Sequence, residues 1–417
     1  MSSLLFLHLF LGLFGLKILI KLVLNLLNLI HLKRKAGQIP GPIAGLVDHS
    51  QLRRIDSYNA DKMCFQTIVF LADTLLLLGF LFTPLYAGYT GWVQSLPWPG
   101  LAKGLLFFLL INWTLWALEL PFSFYFHFVI ESRYGFNKYS PGEWWTDNLK
   151  SWLMNTVLTV VVLGLILALW GDRTAFTVTD ILVGWGIIFG LTVLFMYLVP
   201  VLFIPFFYKL TPLPDGPLKE RITALVGQTG FTIRGIFMAD ESRKSGHANA
   251  QFAGFGRNKT IILFDNLVDH YTDEEILAVL AHEIGHGKKK HLLKLMLMVL
   301  VESLLFLVFA FYLLTADFTF QAFAIPKLFY SGLFITYVFF FDVLSFYIMP
   351  FSSRFSRKLE YEADAFSRKL IGTAGPLVSV FKKFIVNELD NINPHPLYEA
   401  FYYSHPTLWK RIKALES

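Results

Sequence analysis

Seven apolar runs, each long enough to cross a bilayer, constrain this chain more than anything else in it. They cover residues 4–32, 65–86, 101–128, 152–170, 176–207, 292–314 and 323–350; a spanning helix needs about 20. No water is available there for backbone amides, so each run must satisfy its own hydrogen bonds as a helix. The low charge agrees: 16% of residues, against about 25% in soluble chains. The first run is far longer than a signal-peptide core. It ends in His31, Lys33, Arg34 and Lys35 rather than a small-residue cleavage site, so it is expected to stay in the mature protein. A mainly α, multi-pass membrane fold follows.

Loop charges orient the spans. Lys33, Arg34, Lys35, Arg53, Arg54 and Lys62 follow the first run, Arg133, Lys138 and Lys150 the third, and Lys288, Lys289 and Lys290 precede the sixth. The loops after the second, fourth and sixth are nearly free of Lys and Arg, Arg173 excepted. Basic loops stay in the cytoplasm, which puts the N-terminus outside and both 208–290 and 351–417 inside. The expected organisation is 1–207 as five spans with basic loops, 208–291 as a cytoplasmic catalytic segment, 292–350 as two more spans and 351–417 as cytoplasmic C-terminal helices. These loops account for the net charge of +6 and leave nothing to suggest nucleic acid. A single Cys64 excludes an internal disulfide. Asp73, Glu119, Asp180, Glu302 and Asp342 fall within runs, as do Lys17 and Lys21 on one helix face. Charges are costly against lipid, so these side chains should face a wet cavity inside the bundle, although helix–helix bonding would serve any one of them.

The polar segment 208–291 holds the chemistry. Thr272 and Glu275 form a Thr-x-x-Glu capping box that starts a helix, and Ile276, Leu277, Val279, Leu280 and Ile284 recur at helical spacing. Within that helix lies His282-Glu283-Ile284-Gly285-His286. Four residues at about 100° each return His286 to within roughly 40° of His282, one turn on. Both imidazoles can then reach one Zn²⁺, and Glu283 lies beside the metal, placed to take a proton from water. Ahead of it, 232–238, 248–253 and 260–264 read as strands, the last two a hairpin. Asn249-Ala250-Gln251-Phe252-Ala253 is a candidate edge for a substrate backbone, with a purely structural hairpin an equal reading.

A third ligand must come from elsewhere. His291 lies about 140° around from His286 and cannot share the metal while the helix continues. The helix at 354–370 offers Glu360 and Asp364 on one face, with Glu362 about 200° away from Glu360. Glu360 would complete a His₂Glu site with an open position, and Asp364 could hold an imidazole N–H. A solvated helix face would carry the same residues, and spacing alone slightly favours that.

With these residues assembled, the chain resembles the type I CaaX prenyl endoproteases, seven-span zinc metalloproteases of the a-factor and prelamin A type. The resemblance rests on an ordered set: 128–131 with 135–138, 209–216, His247-Ala248-Asn249-Ala250 with Gly254-Phe255, the His-Glu-x-x-His, Glu360-x-x-Ala363-Asp364, and Tyr403-Ser404-His405-Pro406 followed by Arg411. It implies a seven-transmembrane-helix barrel around a chamber, with a cytoplasmic gluzincin-like zinc protease domain containing a small β-sheet. It implies one Zn²⁺ on His282, His286 and Glu360, with Glu283 as general base. His405 would stabilise the oxyanion, Asp364 and Arg411 would support the ligands, and Asn249, Ala250 and Gln251 would take the substrate backbone. The implied substrate is a peptide or prenylated CaaX protein, taken from the lipid bilayer and cut after Cys. Short far-side loops and the lack of a retrieval signal point to a bacterial inner membrane rather than the endoplasmic reticulum. Two alternatives are a quality-control protease indifferent to prenylation and, from another class, a seven-helix metal transporter or receptor.

Overall fold

The computed structural model describes residues 1–35, 38–173, 175–246, 250–253 and 258–417. Among them are seven helices long and apolar enough to cross a membrane: Ser3–Lys35, His49–Phe82, Gly100–Tyr134, Pro141–Trp170, Val178–Phe207, His291–Thr315 and Phe329–Ile371. Each contains one of the seven runs or most of it. Their ends differ from the runs where turn chemistry intervenes. Thr83 and Pro84 close the second helix and start a short one, Pro84–Ser95. Residues 317–322 form a separate helix before the seventh span. That span turns through a π-helical segment at Val338–Leu344, then runs through Pro350 to Ile371. The expected division at 350 is therefore where a continuous rod leaves the apolar layer, not a change of element.

Two apolar cores sit at opposite ends of the bundle. One gathers Phe6, Leu81, Phe107, Trp170, Leu313 and Phe329, which start or end alternate spans. The other gathers Leu52, Ile130, Tyr134, Leu263, Leu280 and Ile412. Loops after the first and third spans thus pack with both polar segments, 208–290 and 351–417, on one side of the bundle. A site shared by the two segments requires this.

The polar side carries a four-stranded sheet in the order β1-β2-β4-β3: β1 Leu210–Pro212, β2 Thr232–Ala239, β3 Ala250–Ala253 and β4 Asn258–Phe264. β2 and β4 run parallel, and β3 pairs antiparallel to β4 with Gln251 opposite Ile262. The antiparallel pair β3 and β4, with β3 last in the strand order, agrees with the sequence pattern. β1 is an addition to the strands expected from the sequence, where Leu210, Thr211 and Pro212 pair with Ala239, Met238 and Phe237.

Asp180 and the charges around Lys17 sit in two different settings, while Glu119 is exposed and Glu302 half-buried, both outside them. Asp180 lies at the helix end rather than mid-span: its carboxylate caps Thr177 and accepts from Arg173 at 2.6 Å and Trp170 at 3.1 Å. Lys17 is buried and meets Asp342 of the π-helical segment at 2.5 Å. A cavity of about 370 Å³ beside that pair is lined by Lys21, Gln66, Asp73 and Thr74 as well. This polar pocket between the first, second and seventh spans is where charges face protein and water rather than lipid. We expect Lys17→Met or Asp342→Asn alone to lower the unfolding free energy in detergent by about 1–3 kcal/mol, less than for a fully buried pair because Asp342 is 40% exposed. Removing both should recover most of it; equal loss in the double variant would show that the pair is not coupled.

Candidate metal centre and active site

The helix Asp273–Lys288 begins as its capping box dictates, with Glu275 N–H on Thr272 Oγ1 and Thr272 N–H on Glu275 Oε2 at 2.8 Å. The same carboxylate accepts from Lys383 at 2.6 Å and Ser379 at 2.7 Å, tying the motif helix to the helix Gly375–Asn387. Its buried face then packs on the extended seventh helix. A Cβ on Gly285 would meet Ala363 Cα, Ala363 O and Phe366 Cβ, each at 3.2 Å, so glycine lets the helices approach where a methyl group would have to push the seam apart by a few tenths of an ångström. Ser367 Oγ donates to Ala278 O at 2.8 Å across the same seam.

That contact brings His282, His286 and Glu360 together, with one ligand atom from each within 4.8 Å of the others. The two Nε2 atoms are 3.1 Å apart. Glu360 Oε2 is 3.4 Å from His282 Nε2, and Oε1 is 3.4 Å from His286 Nε2. Tetrahedral coordination at ~2.0–2.1 Å separates donor atoms by about 3.3 Å. Each imidazole approaches a different Glu360 oxygen at close to that distance, and one atom from each residue can be chosen with all three within 4.8 Å, a group that could hold one small cation. Glu360 Oε2 is buried without a hydrogen bond, an orphan that a metal would satisfy.

Around the cluster, Asp364 Oδ1 lies 2.9 Å from His282 Nδ1. Buried Arg411 grips Asp364 through two bonds of 2.8 and 2.6 Å and approaches Glu360 Oε2 at 3.3 Å. His405 Nε2 is 3.3 Å from Glu360 Oε1, on an accessible side, and its side chain is 63% exposed. Ser404 Oγ lies 3.0 Å from His405 Nδ1; donating there leaves the ring proton on Nε2, facing the cluster. Burial raises the pKa of Glu283. Burial alone would lower the pKa of His282, but the Asp364 and Glu360 carboxylates against its two ring nitrogens outweigh it and raise it to about 9. Burial and the neighbouring His282 lower His286 to about 4.

The structure thus groups His282, Glu283, His286, Glu360, Asp364, His405 and Arg411. Ala250 is buried in β3, on the sheet edge beside the motif helix; Phe252 comes within 3.6 Å of the place a Cβ on Gly287 would take. Gln251 contributes its paired backbone. Asn249, with His247, Ala248, Gly254 and Phe255, lies outside the described residues. Helical spacing separates His291 from the site only while the helix continues, and it does not. The helix ends at Lys288, and His291 Nδ1 comes to 3.0 Å from His286 Nδ1. Gly287 and the lysine run after it are the available sequence signal for that break.

Fold and donor set together define a membrane-embedded metalloprotease. A model described as "Peptidase family M48" matches residues 212–417, and one described as "CAAX prenyl protease N-terminal, five membrane helices" matches 28–209. The chain is 31% identical to the CAAX prenyl protease 1 homolog of Oryza sativa subsp. japonica, covering 93% of this chain and 92% of that one. It is 35% identical to CAAX prenyl protease 1 of Saccharomyces cerevisiae, covering 76% and 72%. The crystal structure of S. mikatae Ste24p superposes with a TM-score of 0.86 at 27% identity, covering 97% and 98%. The chain belongs to the CAAX prenyl protease 1 family and is a multi-pass integral membrane protein.

A proton on His282 must leave before the ring can bind metal. Because its pKa lies near 9, metal binding to the metal-free protein at pH 7–8 should release about one proton. Affinity should fall about tenfold per pH unit as pH drops below that value. Calorimetry in buffers of different ionisation enthalpy measures this, and binding without proton release would contradict it.

Proposed function

We propose that His282, His286 and Glu360 hold one Zn²⁺ and that Glu283 is the general base of an endopeptidase acting on prenylated C-terminal Cys-a-a-X peptides. The observation that supports this reading is the convergence of His282, His286 and Glu360, one ligand atom from each within 4.8 Å of the others, with the buried Oε2 of Glu360 lacking a hydrogen bond. Zn²⁺, when bound, supplies a Lewis acid for the scissile carbonyl and acidifies water. Glu283 takes the proton from the attacking water and returns it to the leaving amine; a pKa raised by burial suits both halves of that task. His405, with its proton on Nε2, donates to the oxygen as it gains charge. Asp364 fixes the His282 ring through Nδ1, and Arg411 keeps Asp364 ionised and in place. The edge strand β3 accepts the substrate backbone, with Asn249, Ala250 and Gln251 as its contact residues.

The prenylated substrate rests on the names of the relatives and on the membrane setting. The cytoplasmic placement of the site rests on the basic loops that pack with it. Short far-side loops support a bacterial inner membrane, while the relatives named above are eukaryotic proteins.

Glu283→Gln should keep stoichiometric zinc and lose turnover by about 10²–10⁴-fold. A metal transporter would be little affected by that change, because Glu283 is not among the donors. The wild-type protein should cut a farnesylated peptide and leave its non-prenylated twin largely intact. Equal cleavage of both would contradict the prenyl requirement and favour a quality-control role.

A further inference from the structure

Two residues after His286 the motif helix ends, and Lys290 takes a φ of 55°. That left-handed conformation is uncommon for a residue with a side chain. The chain restarts as the sixth span at His291. The kink undoes the angular separation that a continuous helix would impose, and His291 Nδ1 comes to 3.0 Å from His286 Nδ1, the ring nitrogen opposite the one near Glu360. On its other side His291 Nε2 lies 3.1 Å from Glu362 Oε2, which also accepts from Lys294 at 3.1 Å. His291 is 1% exposed.

We propose that His291 and Glu362 are positioning residues for the second metal-binding imidazole, a relay that sets the tautomer and orientation of His286. This rests on the reading of His286 as a ligand. A ligand ring must present a bare Nε2 to the metal, so the proton of His286 sits on Nδ1. Only one hydrogen fits between two nitrogens 3.0 Å apart, and His291 Nδ1 therefore accepts it. His291 must then carry its own proton on Nε2, where the Glu362 carboxylate accepts. A single tautomer of each ring satisfies every contact.

The arrangement matches the one behind His282. Three carboxylates of the seventh helix divide the work: Glu360 meets the cluster, Asp364 backs His282 directly, and Glu362 backs His286 through His291. A carboxylate two residues from Glu360 points away from the metal, as helix geometry demands. It reaches the site through an intermediary from the sixth span.

The alternative is that the His291–Glu362–Lys294 contacts only fasten the sixth helix to the seventh. Zinc affinity of the full-length protein in detergent, measured by competition with a chromophoric chelator, separates the two, as does the visible spectrum of the Co²⁺-loaded form. His291→Leu removes the acceptor, whereas His291→Asn keeps a side-chain oxygen near the Nδ1 position. We expect His291→Leu to weaken zinc binding about 10–100-fold and to shift the Co²⁺ bands, and His291→Asn to recover most of that loss. Affinity unchanged in His291→Leu, or equally poor in both variants, overturns the relay. If His291→Leu does not fold, Glu362→Ala carries the test at a partly exposed position: several-fold weaker zinc is expected, and no change overturns it. His286→Ala distinguishes failure of the underlying reading, since zinc retained there would mean that His286 is not a ligand at all.

Discussion

The site exists because two helices can touch at Gly285. Without a side chain there, the motif helix lies close enough to Ala363 and Phe366 for residues one turn away on either side to meet. His282 and His286 come from one helix, Glu360 and Asp364 from the other, and neither pair forms a metal site alone. The seam is dry and well buried: Ala363, Ala281 and Ile284 are fully enclosed, and Ser367 satisfies its hydroxyl on Ala278 O. In such packing a single methyl group shifts an axis by tenths of an ångström, and metal coordination tolerates little more.

The second constraint is the membrane. Glu360 sits on a helix that enters the bilayer at Phe329 and continues unbroken to Ile371, 43 residues in all. At 1.5 Å per residue that rod is about 65 Å long, more than twice the ~30 Å hydrocarbon layer. The site is therefore held at a set height relative to the lipid, on the side where the loops after the first and third spans fold over it. Asp342, further down that helix, pairs with buried Lys17 of the first helix, so each charge supplies the other's partner.

Much of this is legible in the sequence. Hydropathy marks the seven spans, and the capping box marks the start of the motif helix to the residue. Spacing puts Glu360 and Asp364 on one face and Glu362 on another, but by itself slightly favours a solvated helix; the family resemblance is what gives the pair its role. What escapes is set by tertiary context. Residues 210–212 are not among the strands expected from the sequence, because Pro212 and Pro214 weaken local strand propensity; pairing with β2 overrides it. His291 is excluded by a correct rule applied to a helix that does not continue, because nothing in local preference demands a left-handed lysine. Asp180 looks intramembrane because its run extends to Phe176, while the Thr177 cap places it at the helix end. Loop length, the main sequence signal for the source membrane, is not a chemical signal and carries no mechanism.

The central claim is that two imidazoles and one carboxylate, from two helices on the same side of the membrane, close around a single ion. X-ray absorption at the zinc edge of the loaded, substrate-free protein tests it most directly. The account predicts four-coordinate zinc with two imidazoles and light oxygen donors at ~2.0–2.1 Å. A third imidazole, supplied by His291 or His405, or a shell with only one imidazole, would contradict it.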